Sequence, residues 1–524
     1  MARIRLGWRA AGLAVASVMM AACRWDDGHD APDPPEPDPF LTITPAALEA
    51  VNYAGESTVV PFAMETETSS LDLQIAIVDR SDGLAEPFIQ RVDDHHFEAQ
   101  VSVAPGLAVG THSGQFEVRL CYDDTASCKK PREGSPWVVS YTFKVLPAIN
   151  LTPLRKLPEA LAWTTYRGNA AHSAFVPAEV NPAEFTRRWV RSGGVSSVVV
   201  EEGRIYHADL DRTVAISEDT GDVQWTFDAG LVYAGHPPAV ANGQVFVVTS
   251  PEVFDGTFIR TLDAATGQLK ASRATTPGGD LEFNFYLAPT PYESDVYLPV
   301  DSAELLRLDG GTLAPAWSNV LTGRGMWTPT VDAAGVYAQI GRKFVAIDRA
   351  TGTTQWSLED LAYDDDGYGY LRSAAVLDGE GHAYAKHLSP YDHQEGKSRL
   401  VSVSLADKAW RWRVADHFSS DPIVAHGMVY VVNGQSVEGR SAETGALQWS
   451  WASPEAFPLA FYKEVGTVVV GQVLFVSATT HTYAIDINTH QQVWSYPEAG
   501  RLAVSDNGIL YIASDRNLTA INLH

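Results

Sequence analysis

The stretch Ala346-Ile347-Asp348-Arg349-Ala350-Thr351-Gly352-Thr353-Thr354-Gln355-Trp356 decides the fold of most of this chain, because it recurs. It returns as Ala215-Ile216-Ser217 with Thr220-Gly221 and Trp225, and as Ser441-Ala442-Glu443-Thr444-Gly445 with Trp449. Ala484-Ile485-Asp486 with Thr489-His490 and Trp494 is a further copy. Other copies are degenerate. Leu262-Asp263 with Thr266-Gly267 has Ala271 in the Trp place, Leu308-Asp309 with Thr312-Leu313 and Trp317 has Leu in the Gly place, and Val403, Lys408 and Trp412 mark the weakest. The chain ends on Ala520-Ile521-Asn522, which begins the phrase but has no Trp after it. The missing part stands far upstream, in Phe185-Thr186-Arg187-Arg188-Trp189.

Positions 189, 225, 271, 317, 356, 412, 449 and 494 are separated by 36, 46, 46, 39, 56, 37 and 45 residues. A period of about 44 with four β runs per unit is that of a propeller blade. Gly after Thr permits the positive φ of a tight turn, and the Asp can accept backbone N–H bonds within it. The Trp, on the outer strand, is expected to bury its ring against the next blade. Trp189, Trp225, Trp317, Trp356, Trp412, Trp449 and Trp494 are thus the expected blade-packing residues. Eight grid positions predict eight blades. The split last unit predicts that the Trp189 strand completes the blade begun at Leu502, which removes an open sheet edge.

Working outward, the 524 residues are 45% hydrophobic, enough to exclude wholesale disorder, and 64 acids against 38 bases give a net charge of −26. With no basic face expected, nucleic acid is not an expected partner. Arg3, Arg5 and Arg9 precede an uncharged apolar run, Ala10 to Ala22, too short for a bilayer-spanning helix and fitting a secretory signal. Met20-Ala21-Ala22-Cys23 resembles the lipobox of bacterial lipoproteins, which makes Cys23 the expected lipidated N-terminus after removal of 1–22. Residue Arg24 stands where a retention Asp would stand, so the resemblance implies the outer membrane, facing periplasm or cell surface. Residues 23–40 hold five Pro and six acids and read as a semi-stiff tether.

Residues 41–147 alternate with period two, with strand candidates Leu41–Thr44, Thr58–Met64, Leu71–Val78, Phe97–Val103, Gly114–Tyr122 and Trp137–Val145. That spacing suggests an immunoglobulin-like sandwich, followed by a linker over 148–162. Cys121 and Cys128 are expected to pair in an oxidising compartment, contributing about 2.5 kcal/mol for so small a loop in the chain-entropy description. His95 and His96 are adjacent strand residues and point to opposite faces, so a shared metal is not expected.

The repeat resembles that of the pyrroloquinoline-quinone (PQQ)-like propellers, as does the opening Trp163-Thr164-Thr165-Tyr166-Arg167-Gly168-Asn169-Ala170-Ala171-His172. The resemblance covers about 365 residues. It implies an all-β chain: an immunoglobulin-like sandwich followed by an eight-bladed propeller over 163–524. It also implies two alternative roles, a quinone- and Ca²⁺-dependent dehydrogenase or a non-catalytic scaffold such as the BamB-type lipoprotein of outer-membrane protein assembly. The enzymes carry a vicinal Cys pair; this chain has no adjacent cysteines and no Cys-x-x-Cys-His. BamB-type proteins, for their part, lack the domain in front. Without Gly-x-Ser-x-Gly, His-Glu-x-x-His or a phosphate loop, no catalytic residue, metal or cofactor is nominated. The expectation is a monomeric, lipid-anchored binding platform for envelope proteins. Surface glycan binding is the third alternative, for which Trp327, Trp410 and Trp451 lie off the grid.

The longest step, between Trp356 and Trp412, holds the candidate partner loop: Tyr363, Asp364, Asp365, Asp366, Tyr368 and Tyr370, acids interleaved with aromatic anchors. Asp364, Asp366 and Gly367 start like a Ca²⁺ loop, but the later ligands at that spacing are missing. A second insertion, 387–397, contains His387, Tyr391, Asp392 and His393.

Overall fold

The computed structural model describes residues 40–124, 127–195, 197–208, 212–228, 237–249, 258–275, 288–300, 304–321, 328–340, 342–361, 373–387, 398–458 and 465–524. The chain forms two compact units, Met1–Val145 and Leu146–His524. No helix of the described residues is long and apolar enough to cross a membrane.

The first unit is two four-stranded sheets over one core. Leu41–Thr44, Val59–Thr66, His96–Val103 and Leu84–Arg91 form one; Ala47–Tyr53, Trp137–Leu146, Gly110–Cys121 and Gln74–Asp79 form the other. Alternation buries one face of each strand, so Phe62 and Phe97 of one sheet meet Phe116 and Phe143 of the other in a shared cluster. Eight strands are present where six segments are legible by alternation. Ala47–Tyr53 and Leu84–Arg91 are the two additions, and both are edge strands. Cys121 and Cys128 are joined as a disulfide, Cα atoms 5.5 Å apart. Inside that loop the Asp123 carboxylate accepts from the backbone N–H groups of Lys129 and Lys130.

Among the described residues the second unit contains eight sheets, antiparallel except where Phe175–Val176 pairs in parallel with Thr467–Val470. Blades I to VII span 198–228, 239–274, 290–320, 330–359, 376–416, 423–452 and 467–496, and blade VIII combines 501–522 with Thr186–Ser192. The first strand of each blade lies innermost and the Trp strand outermost. Innermost strands adjoin from I to IV, from V to VIII, and again between VIII and I. Blades IV and V share a core of Tyr337, Phe344, Ala375, Leu377 and Val403, so the ring closes. Closure uses Thr186–Ser192, which pairs with Asn517–Asn522 and places Trp189 opposite Ala520.

The repeat phrase is a seam device. In its turn the Asp348 carboxylate accepts from the N–H groups of Ala350 and Thr351 and from the Thr351 hydroxyl, bonds that hold it below the usual carboxylate range. Each indole then lies across the turn of the next blade. A Cβ at Gly267 would come within 2.6 Å of the Trp225 ring, and one at Gly352 within 2.5 Å of Trp317. The indole N–H groups of Trp225, Trp317 and Trp412 donate to Ala264 O (3.0 Å), Arg349 O (2.9 Å) and Ala442 O (3.0 Å) in those turns.

At the closing seam the same place is polar. Trp189 Nε1 donates to Glu218 O, and the fully buried Arg188 donates to Thr152 O, Asp219 O and Asn522 Oδ1. The buried Glu218 carboxylate accepts from Asn507 Nδ2 at 2.7 Å and Tyr511 Oη at 3.0 Å. Burial pushes its pKa up, and these bonds, with one from Ser505, only partly oppose that. The folded chain therefore holds this proton more tightly than the unfolded chain. Stability must then fall as pH rises from the ordinary value of 4.5 through the raised one, the opposite sense to Asp348. Glu218→Gln is expected to flatten this limb of the urea-midpoint profile above the ordinary value of 4.5. Parallel profiles for the two proteins would remove Glu218 from the linkage.

Candidate functional site

The axis of the ring is occupied by the chain's own segment Trp163–Val176. Trp163 O accepts from Val200 N of blade I, Thr164 O from Val240 N of II, Ala170 O from Val331 N of IV, Ala171 O from Leu377 N of V, and Ala174 O from Val469 N of VII. Thr165 Oγ1 donates to Pro289 O at the start of III, and Arg167 Nη2 to Pro422 O at the start of VI. Seven blades thus bond to seven residues of one fourteen-residue segment. The sequence permits this turn through positive φ at Arg167 (55°), Gly168 (98°), His172 (54°) and Ala174 (46°). His172 is fully buried between Tyr166 O (2.7 Å) and Pro329 O (2.9 Å). Burial lowers its pKa against the two carbonyls, which favour the protonated ring.

Beside this axial segment opens a small depression between blades VII, VIII, I and II. Its wall includes Trp163, Arg167, Ser197, Thr467 and Arg501. Ser197 Oγ and Thr467 Oγ1 are shielded from solvent and have no hydrogen-bond partner among the described residues. Across the axis, Asp421 Oδ2 accepts from Tyr166 Oη at 3.1 Å, and Lys386 Nζ lies 3.6 Å from Asp421 Oδ1 while donating to Ser419 O.

A second polar cluster sits between blades IV and V. Asp360, fully buried, bridges Arg399 and Arg413 at 2.7 Å each, with His387 Nδ1 3.8 Å away. Burial raises the Asp360 pKa, but the Arg399 bond and the two guanidinium charges outweigh it and hold it low. Burial brings His387 down to about 4, so its ring is neutral at physiological pH. Asp360 and Arg399 stand at the feet of the two insertions read from the sequence, and their ion pair ties those feet together.

Tyr363, Asp364, Asp365, Asp366, Tyr368 and Tyr370 lie outside the described residues, as do Cys23, Trp327, Tyr391, Asp392 and His393. Trp410 is covered by His387 and Arg413, and Trp451 packs on Tyr483 at 5.5 Å, so neither is an open platform for a sugar ring. His95 bonds to Thr66 O while His96 pairs with Asp93 and Glu65, and the two rings serve different partners. Arg167 lies in the opening segment Trp163–His172, but Lys386, Asp421, Thr467 and Arg501 carry no sequence signal of their own, since ring closure alone brings them together.

A closed ring of four-stranded blades sealed by Trp on Gly, with an axial segment, defines a PQQ-like β-propeller. The chain matches the family described as "Outer membrane protein assembly factor BamB" over residues 160–310, 259–385 and 381–501, and it belongs to that family. Among solved structures it is similar to BamB from Moraxella catarrhalis, with 15% identity and a TM-score of 0.50 over 64% of this chain and 99% of that one. It is also similar to the quinohemoprotein alcohol dehydrogenase from Comamonas testosteroni, with 14% identity and a TM-score of 0.52 over 69% and 80%. A europium-containing methanol dehydrogenase gives 13% identity and a TM-score of 0.50 over 67% and 88%. At these identities the likeness is one of fold. No curated protein sequence matches the chain.

The dehydrogenase fold neighbours raise the question of a quinone with its metal ion. The described axial residues do not fit that pair. A hard cation needs several clustered oxygens, and Asp421 is held by Tyr166 and paired with Lys386. Among the described residues, no group of three metal-type side chains lies in the propeller.

Proposed function

We propose that the chain is a lipid-anchored outer-membrane protein whose propeller is a non-catalytic docking platform, with assembly of outer-membrane proteins as its setting. The observation that carries this reading is the axial segment, which bonds to seven blades and ties them into one rigid body. Rigid scaffolds present loops for recognition. The family's description as an outer-membrane assembly factor supplies the setting, and the Met20-Ala21-Ala22-Cys23 lipobox and the Pro-rich tether supply the anchor. We further assign the two-sheet unit to the immunoglobulin-like class, as a spacer carried ahead of the propeller.

Partner capture is assigned to Tyr363–Tyr370, whose foot at Asp360 is clamped by Arg399 and Arg413. Crosslinking in the intact envelope followed by mass spectrometry is expected to recover outer-membrane assembly components with the full chain. A version with Tyr363–Tyr370 replaced by a short Gly-Ser link should fold equally well and lose most of that recovery. Unchanged recovery would move the docking surface elsewhere, whereas quinone-dependent dye reduction by the purified protein would overturn the non-catalytic reading.

A further inference from the structure

We infer that the depression between blades VII, VIII, I and II is a receptor for a compact oxyanion, a carboxylate or a phosphate. Arg167 is 6% exposed, yet no carboxylate pairs with it among the described residues. Its guanidinium reaches only the carbonyl oxygens of His172 (3.3 Å) and Pro422 (2.7 Å). A buried cation without a counter-charge is an unfavourable arrangement unless something negative completes it.

The hydroxyls say the same thing independently. Thr467 is 8% exposed and its Oγ1, like Ser197 Oγ, has no partner among the described residues, although buried polar atoms nearly always find one. Both residues line the same depression as Arg167, and Arg501 adds a second guanidinium to the wall. Among the described residues, none of that wall is acidic, in a chain whose net charge is −26. Two guanidinium-bearing side chains and two hydroxyl residues line this one small space, and their donor types match the acceptor oxygens of a carboxylate or phosphate. Trp163, Val198 and Pro237 supply the apolar sides that strengthen such bonds by excluding water. The inference concerns this pocket alone and does not depend on the platform role.

The test uses the full folded chain, with inorganic phosphate and succinate as probes against chloride at matched ionic strength, read by thermal midpoint and titration calorimetry. A saturable rise of the midpoint with at least one probe is expected. A response to phosphate alone assigns a phosphoryl source, one to succinate alone a carboxylate source, and both agree with the site. Thr467→Val keeps shape and removes the unpartnered hydroxyl. It should fold at least as stably as the parent without anion, and bind the responding probe about tenfold more weakly or worse. Arg501→Gln should weaken binding in the same direction. A midpoint indifferent to both probes, or a response identical in Thr467→Val and Arg501→Gln, would overturn the assignment.

Discussion

Gly352→Ala is expected to destabilise the propeller by about 2–4 kcal/mol, and two separable effects add to that figure. Gly352 has φ of +73°, a left-handed conformation that costs an alanine roughly 1 kcal/mol or more. Its Cβ would also lie 2.5 Å from Cδ2 of Trp317, which is 8% exposed and pinned by its Nε1 bond to Arg349 O. The ring cannot move aside without breaking that bond and opening the IV–III seam, an overpacking penalty of about 1–3 kcal/mol. Gly203→Ala separates the terms. Its φ is +74°, the same strain, but nothing lies within 4 Å of the added methyl. Urea unfolding should therefore rank the two variants well apart, with Gly203→Ala losing only about 1 kcal/mol. Equal losses would mean that the seam yields to the methyl and that the indole-on-glycine contact does not hold the blades together.

This pairing explains why the propeller was legible in the sequence. A turn that requires positive φ, and an indole that lands on it from the neighbouring blade, constrain Thr-Gly and Trp in most copies, so the period survives where the strands themselves vary. The edge strands of the first unit lack any such constraint. Ala47–Tyr53 reads Ala-Leu-Glu-Ala, residues that favour helix locally, and its strand state comes from pairing with Trp137–Leu146. Leu84–Arg91 contains Pro87 and shifts register between Ala85 and Phe88, which an edge position tolerates and an alternation search rejects. The axial pocket was hidden for a different reason. Arg167, Ser197, Thr467 and Arg501 span more than 300 residues of sequence, and no local pattern joins an arginine of the axial segment to a threonine of blade VII. Its partner-free hydroxyls are a property of the closed ring alone.

The degenerate copies offer the sharpest trial of the seam. Blade II has Ala271 where an indole is usual, and the turn it faces, in blade III, has Leu313 where Gly is usual. Leu313 is 1% exposed and packs with Phe246, Leu298 and Leu308, with Ala271 against the same cluster. It does so at φ +58°, a conformation that leucine adopts at a cost. Each departure fills the space left by the other: the side chain has crossed the seam. Leu313→Gly should therefore open a cavity and lose about 2–3 kcal/mol, less than a usual core truncation because the backbone strain is relieved. Ala271→Trp should lose at least as much, since the indole meets Leu313. Combined, Ala271→Trp with Leu313→Gly rebuilds the contact that Trp225 makes with Gly267, and the double variant should recover about half of the summed single losses. The cycle should give a coupling of about 2–3 kcal/mol, near the upper end for residues in contact. Strict additivity of the two single losses would show that Ala271 and Leu313 do not share a space, and the compensation across the seam would fail with it.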